Sequence, residues 1–153
     1  MVLMNRRLLP IALVAVVAVL GMAVNAGNAT AKDDAQKAVS FRRDVAPVIT
    51  LSCTTSSCHG GGGRSPVLER HADPAALRAA LVGVASEQRP SRVFVRPGAP
   101  DQSYLIQKIE GHLIDAECTD HDCGAPMPLD NPSLSADARA KIRTWIAQGA
   151  RDN

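Results

Sequence analysis

Residues 53–60 read Cys53-Thr54-Thr55-Ser56-Ser57-Cys58-His59-Gly60, and three more glycines follow at Gly61, Gly62 and Gly63. Two cysteines enclose four small polar residues, and a histidine comes directly after the second. A later pair repeats the spacing in Cys118-Thr119-Asp120-His121-Asp122-Cys123, but Gly124 follows it where the first pair has His59. These are the chain's 4 cysteines, and the use made of each pair decides the fold. Aromatic side chains make up only 3% of the sequence, so the core is thin and needs covalent bracing or a buried group.

The N-terminal segment sets the compartment. Residues 1–31 run from Arg6 and Arg7 through the apolar stretch Leu8–Val24 to Ala29-Thr30-Ala31. A basic start, an apolar run and a small-residue end describe a secretory signal peptide. The alternative is a retained membrane anchor, for which the apolar run is short against the ~20 residues of a bilayer span. Residues 32–40 read as a flexible leader, and 41–150 as one folded domain. Of the 17 basic residues, two are Arg6 and Arg7, so the chain from Lys32 onward balances 15 basic against 15 acidic groups. That neutrality excludes the basic footprint of a nucleic-acid binder. Export to an oxidising space, such as the periplasm, requires every cysteine to be assigned, because free thiols do not persist there.

Periodicity and capping residues predict four short helices joined by long loops, without repeats or sustained strand alternation. The first lies in "FRRDVAPVITLSC", with Asp44 as cap, Pro47 in the first turn, and Val45, Val48, Ile49 and Cys53 near one face. The second follows Asp73-Pro74 and stops near Gly83. The third carries Tyr104, Leu105, Lys108 and Ile109 on one face and ends at Gly111. The last is capped by Ser135, places Ile142, Trp145 and Ile146 together, and ends at Gly149. A brief extended piece is expected at Val93–Val95. The stretch between His112 and Ser133 has no period and three prolines, as functional loops often do.

The chemistry of Cys53, Cys58 and His59 fits covalent haem attachment. Two thiols add to two porphyrin vinyl groups, and the histidine beside the second is brought under the iron. Thr54 to Ser57 suit an exposed bulge, and the glycines let the chain run close to a flat ring. Far downstream, Met127 stands between Pro126 and Pro128, which stiffen a strap able to present a thioether sulfur as second axial ligand. Cys118 and Cys123 lack a following histidine, so a disulfide bracing that strap is their simplest use; a loop this short contributes about 2 kcal/mol. Rival readings remain: a haem-free structural or interaction module held by Cys53–Cys58 and Cys118–Cys123 disulfides, or a zinc site drawing on the cysteines with His59 and His121. Neither pair has the Cys-x-x-Cys spacing of a thiol oxidoreductase. His112 is the reserve axial ligand. His71, His112 and His121 otherwise read as surface residues, as do Arg64 and Arg96, which could instead meet haem propionates.

The segments "FRRDVAPVITLSCTTSSCHG", "RPGAPDQSYLIQKIEG", Met127-Pro128 and "LSADARAKIRTWIAQGA" together resemble the planctomycete-type c-type cytochrome domains, over about Phe41 to Ala150. The departure from that pattern is the four-residue rather than two-residue cysteine spacing. The resemblance implies a mostly α, class I cytochrome c-like domain whose first and last helices cross near Phe41 and Trp145. It implies one covalently attached haem c on Cys53 and Cys58, with His59 and Met127 as axial ligands. The function it implies is single-electron transfer with redox partner proteins, by a carrier rather than an enzyme, with peroxidase-like activity a minor alternative. It involves no nucleic acid, and a membrane only if the N-terminal segment is retained.

Overall fold

The structure is a computed structural model that describes residues 38–153 apart from His71. The signal-peptide reading, most of the leader and His71 therefore lie outside the described residues.

The first helix starts earlier than its proline suggests. Ser40 Oγ accepts from the Arg43 N–H at 3.2 Å, and the Asp44 carboxylate accepts from the Ser40 N–H at 2.8 Å. This reciprocal arrangement acts as a capping box does, with the acid one residue later than the usual spacing, so Ser40 is the cap and Asp44 reaches back to it. Phe41–Val45 is a π-turn whose last bond runs from the Ala46 N–H to the Phe41 carbonyl. Pro47 has no N–H to give to the preceding turn and its ring crowds it, which is a sufficient reason for the turn to widen. Helix α1 (Ala46–Cys53) continues from there.

Helix α2 (Pro74–Ala79) begins as its sequence predicts, with Asp73 accepting from the Ala75 N–H at 3.2 Å and Pro74 in the first turn. Helix α3 (Tyr104–Glu110) ends on Gly111 at φ 73°. Helix α4 (Ala136–Ala147) is capped by Ser135, which accepts from the Ala138 N–H at 3.1 Å. Single 3-10 turns occur at His59–Gly61, Pro100–Gln102, Asp115–Glu117 and Thr119–His121. Strand-like pairing among the described residues is limited to isolated bridges, Val82 with Val95, Ala85 with Val93 and Val93 with Ser103. The described chain is thus mostly helical, and none of its helices is long and apolar enough to cross a membrane.

The core forms where the start of the described chain meets α4. The Phe41 and Trp145 rings lie 4.8 Å apart between centroids, and both are buried. Val45, Ile49, Ile142 and Ile146 complete the layer. Burying a large apolar side chain contributes roughly 1.5–3 kcal/mol, so these few residues carry much of the stability of a domain poor in aromatics. Arg143 fastens α4 to α3: its guanidinium donates to both Glu110 oxygens, at 3.1 and 2.7 Å, and to Asp101 at 2.6 Å. The C-terminal residues hold the start of the described chain: the Asn153 carbonyl accepts from the Arg42 N–H at 2.9 Å and Asp152 pairs with the Arg42 guanidinium at 3.0 Å. Residues of α1 and α3 in this core also line a cavity.

Candidate functional site

That cavity has a volume of about 320 Å³, at the lower end of the roughly 300–1,000 Å³ of small-molecule and cofactor pockets. Its walls are mainly apolar, with Ile49 from α1, Leu68 and Leu81 from the following loops, Phe94, and Ile109 from α3. Cys53, Cys58, His59 and Met127 all line it. Met127 is 69 residues from Cys58 in sequence, so their meeting is a product of the fold.

The two cysteine pairs differ as their neighbours suggest. Cys118 and Cys123 form a disulfide with Cα atoms 5.2 Å apart, whereas Cys53 and Cys58 are free thiols. Burial pushes the Cys53 thiol up to about 11, and the neighbouring Cys58 adds to the rise. Cys53 therefore stays protonated through neutral pH. Cys53 ends α1, and the four intervening residues fold back as a tight turn in which the Thr55 carbonyl accepts from the Cys58 N–H at 2.9 Å and the Gly60 N–H at 3.1 Å.

The bulge is not wholly exposed. Thr54 is fully buried, with its hydroxyl donating to the Thr50 carbonyl at 2.8 Å, because it continues the last turn of α1; Ser56 and Ser57 are exposed. Nor do the glycines serve only a flat ring. A Cβ on Gly60 would lie 2.1 Å from the Thr54 carbonyl oxygen, and one on Gly61 would lie 2.2 Å from that of Ser56. Both positions accommodate the bulge itself.

His59 is oriented by the loop after the glycines. Its Nδ1 lies 3.0 Å from the Pro66 carbonyl oxygen, and its own carbonyl accepts from the Leu68 N–H at 2.8 Å. A carbonyl can only accept, so this bond selects the tautomer with the proton on Nδ1, the one whose Nε2 lone pair is open to a ligand. Metal-ligating histidines commonly have this arrangement, with the second nitrogen held by a backbone carbonyl.

Met127 is half-buried, and its N–H donates to the Lys108 carbonyl at 2.8 Å. Lys108 is the residue that sequence reasoning undervalued. It is buried in the cavity wall, and its Nζ donates to the Cys123 carbonyl at 2.8 Å and the Ala125 carbonyl at 2.6 Å. Tyr104, one turn earlier, donates to the same Cys123 carbonyl at 3.1 Å. Helix α3 thus holds the Met127 strap at several points, and the disulfide braces the loop just before it. Burial holds the Lys108 ammonium below its ordinary range. The sequence signal was a lysine four residues after Tyr104 on an otherwise apolar face.

The secondary candidates separate. Arg64 lines the cavity, while Arg96 is exposed and donates to Gln102 at 2.6 Å. His112 is exposed and lines a second, polar concavity on whose wall Met127 also lies. His121 is exposed at φ 57°. Among the described residues, no three His, Cys, Asp or Glu side chains converge as a zinc site requires. No protein-family model, curated protein or solved structure matches the chain.

Proposed function

We propose that the chain is an exported mono-haem c-type cytochrome of class I-like fold that carries single electrons between redox partner proteins. The observation that carries the reading is the meeting of Cys53, Cys58, His59 and Met127 on the wall of one apolar cavity. Cys53 and Cys58 would hold the porphyrin edge, His59 would offer Nε2, and Met127 would offer its sulfur. Bound there, the haem supplies a one-electron iron couple. The protein's part is to hold the ligands, keep water from the apolar walls, and bias the couple. A thioether ligand and a nearby buried Lys108 cation both favour the reduced iron. The free thiols at Cys53 and Cys58, against the closed bridge at Cys118–Cys123, favour this reading over a module held by two disulfides.

The test is expression of the full chain with haem-attachment machinery, followed by intact mass and acid–acetone extraction. The expected product is heavier than the polypeptide by one haem that does not extract. A product with the bare polypeptide mass refutes covalent attachment. Alanine at Met127 should then change the visible spectrum and lower the reduction potential; an unchanged potential removes Met127 from the ligand set.

A further inference from the structure

We infer that Gly60 and Gly61 are positioning residues for haem attachment, required because the cysteines of this chain are separated by four residues. The inference rests on the haem reading above. Each attachment is an addition: a cysteine S–H crosses a vinyl double bond, sulfur bonds to one carbon, the thiol hydrogen ends on the other, and no electrons are lost. Both thiols must therefore reach one porphyrin edge while His59 stays beneath it. The extra length must be stored where it displaces neither sulfur.

The backbone stores it by folding the bulge onto the residues that follow it. The Thr55 carbonyl receives the N–H groups of Cys58 and Gly60, closing a turn that spans the second cysteine and the histidine. The same fold sets the Thr54 carbonyl over Gly60 and the Ser56 carbonyl over Gly61, at 2.1 and 2.2 Å from the sites a Cβ would take. Real Cβ atoms do not approach backbone that closely, and neither obstacle is a side chain that can swing away. Thr54 is moreover fixed, being fully buried and bonded to Thr50. Alanine at either glycine must therefore displace the bulge or His59. Neither glycine has a positive φ, so the requirement is one of space. Gly63 supplies the internal contrast, with nothing within 4 Å of its Cβ site and no positive φ. Of the four glycines, Gly60 and Gly61 are required for space, Gly62 holds a left-handed φ of 76°, and Gly63 is left free.

The experiment compares the full chain with its G60A, G61A and G63A variants, each expressed with haem-attachment machinery. Intact mass gives the attached fraction, and the reduced pyridine haemochrome spectrum gives the number of remaining vinyl groups. G63A should match the parent, with both vinyls consumed. G60A and G61A should lose at least tenfold in doubly attached product and accumulate singly attached or bare chain. A chain lacking Thr55 and Ser56 has two residues between its cysteines and no Ser56 carbonyl. In that background G61A should attach haem as well as its own parent does, which general misfolding by alanine does not predict. Equal double attachment in G60A, G61A and G63A overturns the inference, and so does an undiminished G61A defect in the shortened chain. Failure of the parent chain to attach haem is a different result, and it refutes the functional reading instead.

Discussion

Replacing both Cys118 and Cys123 by alanine should lower the melting temperature by about 12 °C while leaving the Met127 strap docked at room temperature. The bridge closes a loop of sequence separation 5, for which chain entropy gives about 2 kcal/mol. Cys123 is 1% and Cys118 8% exposed, so losing two packed sulfurs adds about 1 kcal/mol. Unfolding the region from Phe41 to Asn153 releases about 0.24 kcal/mol per kelvin, at roughly 2 cal/mol/K per residue, and the total of about 3 kcal/mol converts accordingly. The strap keeps its tethers to α3, through Lys108 Nζ, the Lys108 carbonyl and the Tyr104 hydroxyl. Circular-dichroism melting checks the first claim, and the visible spectrum of haem-loaded protein at 25 °C checks the second. A melting shift under 2 °C would refute the chain-entropy argument. Loss of the Met127 signature at 25 °C would show that the α3 tethers do not hold the strap unaided.

Other perturbations separate the remaining contributions. Phe41→Ala removes one ring of the buried Phe41–Trp145 pair and should cost about 4 kcal/mol, seen as a lower urea midpoint. The stability of K108M relative to the parent should change with pH in a set direction. Because burial lowers the folded-state value of Lys108, the unfolded parent binds more protons as pH nears 10.5, so the parent gains stability relative to K108M as pH rises through that window. A flat difference in urea titrations would contradict the burial argument. In haem-free, reduced C58S protein, which keeps the burial of Cys53 but loses the contribution of Cys58, alkylation of Cys53 should quicken about tenfold per pH unit and level off only above the range of an ordinary thiol, since the thiolate is the reactive form. In haem-free, reduced protein the raised Cys53 value also predicts stability, relative to C53A, that is full below pH 9 and falls as pH rises towards 11.

The helices were legible because their punctuation is local. Asp73-Pro74, Gly111, Ser135 and Gly149 act within one turn of themselves, so their meaning survives without knowledge of the rest. The start of the first helix was misread because Pro47 normally marks a first turn, while the chain begins to coil earlier, from the cap that Ser40 and Asp44 form reciprocally. The four candidate site residues were legible from their chemical types and neighbours. The groups that orient them were not. The Pro66 carbonyl has no side-chain signature, and Lys108 resembles any solvated lysine until carbonyls 15 and 17 residues away are brought to it. The bulge was misjudged for the same reason: threonine at a helix end reads as exposed, but Thr54 lies under the turn that its own neighbours make.

The fastening of α4 to α3 through Arg143, and of α3 to the strap through Lys108, has a mechanical consequence. Arg143 grips Glu110 at the end of α3, and two residues earlier Lys108 grips the strap by both side chain and main chain. The three segments form a stiff linkage, with α3 as its connecting rod. A displacement of α4 would therefore be passed to α3 and, through the strap, to Met127. The link from α4 to the candidate ligand then includes two cationic side chains beside the apolar contacts, and loss of the Lys108 ammonium alone leaves the strap on the Lys108 carbonyl and the Tyr104 hydroxyl.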